Sequence, residues 1–154
     1  NSEDALTLNY FGPLMYAQPH ERVQFAWWLM HLLDPEAEPD EVCEIDLWRR
    51  IPHPQKPGST NGPELDFLLI GNRTVVLGEA KWKSDEPQHQ GEGQDMSQTQ
   101  LRALFVEQFG NKVFGEPRRL LVLMVTLDPS SPIEGQECYS NQQQHIRHNL
   151  PPGR

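Results

Sequence analysis

Three features of this chain predict an α/β fold built on one sheet. Residues 19–33 are apolar at almost every position after the first turn, residues 42–51 alternate with a period of two, and residues 120–127 form a continuous apolar run. The first pattern suits a helix, the second a strand with one apolar and one mixed face, and the third a strand buried on both faces. With the segments between them the order becomes helix, three strands, helix, strand. That order describes a mixed central sheet flanked by helices, αβββαβ.

Each element has a local cause. Pro19 suits a first helical turn, Glu21 favours the positive end of the helix dipole, and Asp34-Pro35 ends the helix. A helix apolar on nearly every side is expected between layers, so Trp27 and Trp28 are read as core residues. Residues 34–40, acidic and punctuated by proline, read as a solvated loop. Residues 52–63 carry Pro, Gly, Ser, Thr and Asn and predict a flexible loop. Strands over 64–70 and 74–81 follow, joined by Gly71-Asn72-Arg73 as a hairpin-like turn. Residues 84–93 are a second polar loop, and 95–109 regain helical spacing with Leu101, Leu104, Phe105 and Phe109 as one stripe. After Asp128-Pro129 the chain turns polar, and residues 142–154 read as a frayed tail. There is no internal repeat.

A chain of 154 residues is expected to be a single domain, with its core over about 19–127 and a polar tail over 128–154. It opens on Asn1 rather than Met, so it is expected to be cut from something longer. No apolar run reaches the ~18 residues needed to cross a bilayer, and the first residues lack the pattern of a secretory signal. A cytoplasmic protein without membrane contact is the expectation, with Cys43 and Cys138 as reduced thiols. The net charge of −9 argues against coating DNA by bulk electrostatics. The charge is uneven, however. Asp34, Glu36, Glu38, Asp40, Glu41, Glu44 and Asp46 crowd together, whereas residues 47–83 hold Arg49, Arg50, Lys56, Arg73, Lys81 and Lys83 against only Glu64, Asp66 and Glu79.

Two of those three acids interrupt otherwise apolar strands. Asp66 does so in the second strand, and Glu79 and Lys81 in the third. Residues two apart on a strand share a face, and paired strands lie ~5 Å apart, so a tight hairpin brings Asp66 beside Glu79 and Lys81 at one edge of the sheet. Two such carboxylates repel unless a cation sits between them. Removing either is therefore expected to raise the melting temperature of the metal-free protein. Oxygen-only ligation suits Mg²⁺, with Mn²⁺ as a substitute, and an adjacent ammonium can act on a water and on transition-state charge.

Asp66, twelve intervening residues and then Glu79-Ala80-Lys81, with Pro63 just upstream, resembles the signature of PD-(D/E)xK nucleases, the restriction-endonuclease-like superfamily. The element order over 19–127 is also similar to that superfamily's core. The nearest likeness is to archaeal Holliday-junction resolvases, which carry a Glu-Arg pair opening the first helix, as Glu21-Arg22 does here. They also place a Gln in the second core helix, similar to Gln100. The resemblance implies a Mg²⁺-dependent deoxyribonuclease acting on DNA, with endonuclease and exonuclease both open, and favours a homodimer. By the same resemblance Asp66 and Glu79 bind metal, the Ala80 carbonyl supplies a third ligand and Glu21 completes the site. Lys81 then assists the nucleophile, and Gln98 or Gln100 contacts the site or a backbone phosphate.

Two other functions are open at this point. A nuclease-fold module without turnover, binding nucleic acid or a partner protein, is favoured by the acidity of the chain. A hydrolase of small phosphoesters is disfavoured by the lack of a Gly-rich phosphate loop. For the residues themselves, Glu79 and Lys81 could be a plain edge-strand ion pair, and Glu21 a plain dipole-compensating acid. Trp82 suits core packing or base stacking, and His145 and His148 a solvated tail. Arg118 and Arg119 suit phosphate contacts or an exposed strand end.

Overall fold

The computed structural model describes residues 2–33, 35–56, 58–81, 98–115, 119–126 and 143–149. Two helices come first, α1 (Ser2–Phe11) and, after a 3₁₀ turn over Gly12–Met15, α2 (Pro19–Leu33). Three strands follow: β1 (Cys43–Arg50), β2 (Glu64–Gly71) and β3 (Thr74–Lys81). Helix α3 (Gln98–Phe105) runs on through a wider π turn, Val106–Gly110, and a last turn, Asn111–Phe114. Strands β4 (Arg119–Thr126) and β5 (Gln143–Asn149) complete one five-stranded sheet in the order β1-β2-β3-β4-β5. Its first two pairings are antiparallel and its last two parallel, so the sheet is mixed, as expected. No helix among the described residues is long and apolar enough to cross a membrane.

The sheet has an apolar core on each face. Phe11 of α1 and Ala26, Leu29 and Met30 of α2 pack with Cys43, Leu47, Phe67, Leu69, Val76, Leu121, Leu123 and Val125. On the other face Phe105 and Val106 pack with Leu65, Leu68, Val75, Leu77, Leu120 and Val122. Alternate residues of β3 and β4 thus serve opposite layers, the arrangement a strand buried on both faces requires.

Several expectations are corrected. Helix α2 is not enclosed on all sides: Trp27 and Trp28 are each 42% exposed, while Ala26, Leu29 and Met30 are buried in the core with Val23 and Phe25 packed partly against it. An apolar composition did not by itself make this helix central: α1 lies against β2 and β3, and α2 mainly against β1. Helix α1 itself has no clear amphipathic spacing in sequence, and β5 lies in what reads as a frayed tail. Its pairing with the buried β4, not an apolar pattern of its own, accounts for the strand. The acidic loop after α2 is anchored rather than solvated at its end. Asp40 is buried and accepts bonds from the backbone N–H groups of Arg73 (2.5 Å) and Thr74 (3.3 Å), tying down the β2–β3 turn. Asn72 returns the tie, its Oδ1 accepting from the N–H groups of Glu41 (2.8 Å) and Val42 (3.3 Å). Residues 52–63 are likewise pinned at both ends: Ile51 N–H donates to the Pro63 carbonyl at 3.0 Å, and His53 and Pro54 are buried. Gly62 lies so close to the Ile51 carbonyl that any side chain there would overlap it.

Candidate active site

The sheet opens where the carboxylates lie. Strands β2 and β3 pair from Ile70–Val75 through Phe67–Gly78 and no further toward the ends that carry Asp66 and Glu79. At this last pair the Phe67 ring lies over the position a side chain of Gly78 would take. That ring is fully buried and stacks on Phe11 at a centroid distance of 3.9 Å. Beyond this pair the ladder does not continue, and the Asp66 side chain takes up a backbone donor of β3 instead. Its Oδ2 accepts from Ala80 N–H at 2.7 Å, replacing the ladder bond that is lost.

The other side of β2 is irregular at the same level. In the β1–β2 ladder Leu47 pairs with Phe67 and Arg49 with Leu65, leaving Trp48 opposite Asp66 outside the pairing. Trp48 is the one non-glycine residue at positive φ among the described residues, at 54°. A left-handed residue in a strand reverses which face its neighbours serve. Cys43 and Leu47 accordingly point into one core and Ile51 into the other, and Phe67 and Leu65 divide in the same way. Strained backbone of this kind tends to collect at functional sites.

Glu79 faces the α3 layer, as alternation from Val75 and Leu77 requires. It is only 7% exposed and forms an ion pair with Arg102 of α3, itself 3% exposed. Arg102 Nη2 also donates to the Glu64 carbonyl at 2.6 Å, so one nitrogen joins α3, β2 and β3. Its Nε and Nη1 are buried and meet no hydrogen-bond acceptor among the described residues. Arg102 is the site residue that the sequence reading missed. The buried stripe of this helical run passes through Leu101, Arg102, Phe105 and Val106, with half-buried Phe109 packed against the same core and Leu104 half-buried beside it. The i, i+3, i+4 spacing of Arg102 to Phe105 and Val106 was the available signal.

The remaining candidates are more dispersed. Lys81 is the last residue of β3, in register with Thr126 of β4. Asp66 lies on β2 and Glu79 and Lys81 on β3, both interior strands of the sheet. Glu21 is exposed at the start of α2, where its carboxylate accepts from Gln18 N–H at 2.7 Å. That is the capping-box bond, which satisfies an orphan donor of the helix. Gln100 is half-buried on α3, two residues before Arg102 and therefore roughly 200° around the helix from it. Arg119 donates its backbone N–H to the Arg73 carbonyl at 2.7 Å. The side chains of Lys81, Gln98, His145 and His148, and all of Trp82, Lys83, residues 84–93, Arg118 and Cys138, lie outside the described set. Cys43 is a buried free thiol on the far face.

Asp66, Glu79 and the Ala80 carbonyl are hard oxygen donors, the chemistry Mg²⁺ selects. They form no cluster of three or more acidic, His or Cys side chains among the described residues. A Mg²⁺ site needs only one or two carboxylates, with water and phosphate oxygens completing it. The donor set therefore fits the ion, on the condition that Glu79 is shared with or released by Arg102. Comparison with protein-family models, with curated proteins and with solved structures finds no match for this chain.

Proposed function

We propose that this chain is a divalent-metal-dependent nuclease of the PD-(D/E)xK, restriction-endonuclease-like type, hydrolysing DNA phosphodiester bonds. The observation that carries the reading is the opening of the β2–β3 ladder past Phe67–Gly78. It sets the Asp66 carboxylate against Ala80, between Glu79 and Lys81 in sequence. The run α2, β1, β2, β3, α3, β4, with an antiparallel meander followed by a parallel strand, supports the αβββαβ core that the resemblance implies.

In this reading Asp66 and Glu79 would hold Mg²⁺, or Mn²⁺ in its place, with the Ala80 carbonyl as the third protein ligand. A bound ion of this kind polarises the phosphoryl group and lowers the pKa of a coordinated water. The Ala80 N–H keeps Asp66 oriented, so the carboxylate is set before substrate arrives. Lys81 would either orient the attacking water as an ammonium or, as the neutral amine, take its proton and become the ammonium, and that positive charge would balance the pentacovalent transition state. Water oxygen would then bond to phosphorus as the bond to the leaving oxygen breaks, and the leaving oxygen would take a proton from solvent water. Glu21 would join the ligands only by giving up its helix cap, and Gln100 is assigned a backbone-phosphate contact. One such site cuts one strand, so double-strand cleavage calls for a two-fold homodimer or a second attack.

A second reading is a nuclease-fold module that binds nucleic acid or a partner protein without turnover. The Glu79–Arg102 ion pair favours it, since it neutralises the acidic group without any metal. Incubation of linear, circular and branched DNA with Mg²⁺, Mn²⁺ or EDTA separates the two. Metal-dependent cleavage lost in Asp66→Ala and in Lys81→Ala supports the enzyme, and binding without cleavage supports the module.

A further inference from the structure

We infer that Arg102 is the built-in counter-cation of the acidic pair, and that a divalent cation and Arg102 compete for Glu79. This rests on the reading of Asp66 and Glu79 as metal ligands given above. A carboxylate as buried as Glu79 needs a compensating charge, and Asp66, whose Oδ2 accepts from the N–H of the adjoining Ala80, adds a second acid to the same neighbourhood. The fold supplies the charge from α3, as a guanidinium anchored to the Glu64 carbonyl.

The hold is incomplete. An arginine has five donors in a fixed fork, yet Nε and Nη1 are buried without an acceptor among the described residues. Buried donors left unsatisfied weaken the net benefit of the pair, so displacing the guanidinium sacrifices few bonds. A metal ion arriving at the same carboxylate meets a fixed positive charge beside it, and the two cations repel across a poorly solvated site. Occupation by metal therefore opposes the Glu79–Arg102 pair, and the pair lowers the affinity for metal. Arg102 is a positioning residue in this account, setting when Glu79 is available.

Two measurements on the full chain test the competition, with Mg²⁺ and Mn²⁺ alone as probes. In the wild type, the Arg102 Nε–H resonance should shift on Mg²⁺ addition with the same midpoint that calorimetry gives for Mg²⁺ binding. By calorimetry, Arg102→Met should bind Mn²⁺ at least about tenfold more tightly than wild type. Its melting temperature should also rise more on Mn²⁺ saturation. The double variant Glu79→Gln/Arg102→Met should bind no better than Glu79→Gln. Equal or weaker Mn²⁺ binding by Arg102→Met, in a wild type that does bind, overturns the competition and leaves the metal site standing. Absence of Mg²⁺ and Mn²⁺ binding in both proteins overturns the competition together with the metal-site reading. Should Arg102→Met not fold, the wild-type titration decides alone: an Arg102 signal unmoved by saturating Mg²⁺ overturns the inference.

Discussion

Adding one methyl group at Gly78 should destabilise the fold more than its size suggests. A Cβ there would overlap the Cζ, Cε1 and Cε2 atoms of the Phe67 ring. To restore ordinary contact the ring must retreat, but it is 0% exposed and stacked on Phe11, which is 1% exposed and meets Phe25 edge-on at 5.9 Å. With both rings buried against each other, overpacking should cost toward the top of its usual range, about 3 kcal/mol. For a chain of this length that lowers the melting temperature by roughly 6–12 °C. Urea unfolding of wild type, Gly78→Ala, Phe67→Leu and the double variant reads the effect directly. Phe67→Leu alone loses roughly 1–2 kcal/mol of packing but makes room, so the double variant should be less destabilised than the sum by at least about 1 kcal/mol. A Gly78→Ala protein within about 0.5 kcal/mol of wild type, or strict additivity in the cycle, would refute the placement of Phe67 over Gly78.

Other perturbations probe the site and its supports. Glu79→Ala should leave a buried guanidinium without its counter-charge and destabilise the metal-free protein by ~3–5 kcal/mol in urea. A raised melting temperature, the outcome expected from carboxylate repulsion alone, would contradict the ion pair. Asp40→Ala removes the acceptor of two backbone N–H groups in the β2–β3 turn and should cost about 2–4 kcal/mol. Stability unchanged within error would show that the turn stands without it. Burial pushes the Cys43 thiol from 9.0 up to about 11, with Asp40 and Glu44 adding to the effect and Arg22 opposing it. Above pH 9 the unfolded thiol has lost its proton while the folded one keeps it. The stabilisation is therefore complete below pH 9 and is lost as pH rises toward 11, by on the order of 2–3 kcal/mol. Unfolding free energies of wild type and Cys43→Ala should diverge across that window, and parallel curves would refute the shift.

Much of the architecture was legible because apolar spacing reports burial directly. Residues 19–33, 64–70, 74–81 and 120–127 all fall within a residue or so of observed elements, since each carries a strong period or a continuous run. Helix α1 was missed because its buried positions, Leu6, Thr7 and Phe11, form too sparse and too mixed a pattern to stand out. Strand β5 is polar throughout and gains its place from pairing alone. The Trp27-Trp28 pair misled for a related reason: side-chain type shows what can be buried, and the neighbouring layer decides what is. At the site, the spacing of Asp66, Glu79 and Lys81 could be read from the chain because strand alternation is rigid. Arg102 could not be linked to Glu79 without the crossover of α3 over the sheet. The positive φ at Trp48 had no sequence signal, because tryptophan has no preference for that region.

The central claim is that Asp66, Glu79 and Lys81 support metal-dependent phosphodiester cleavage. Its most direct test is conversion of supercoiled plasmid by the purified chain in Mg²⁺, in EDTA and with Asp66→Asn, whose amide oxygen can still accept from Ala80 N–H. The expected result is nicked circles in Mg²⁺, none in EDTA and none with Asp66→Asn, whose melting curve stays close to wild type. Linear product should follow later from a monomer, or appear together with nicking from a dimer. Intact plasmid in Mg²⁺ and in Mn²⁺, or cleavage that persists undiminished in Asp66→Asn, would contradict the account.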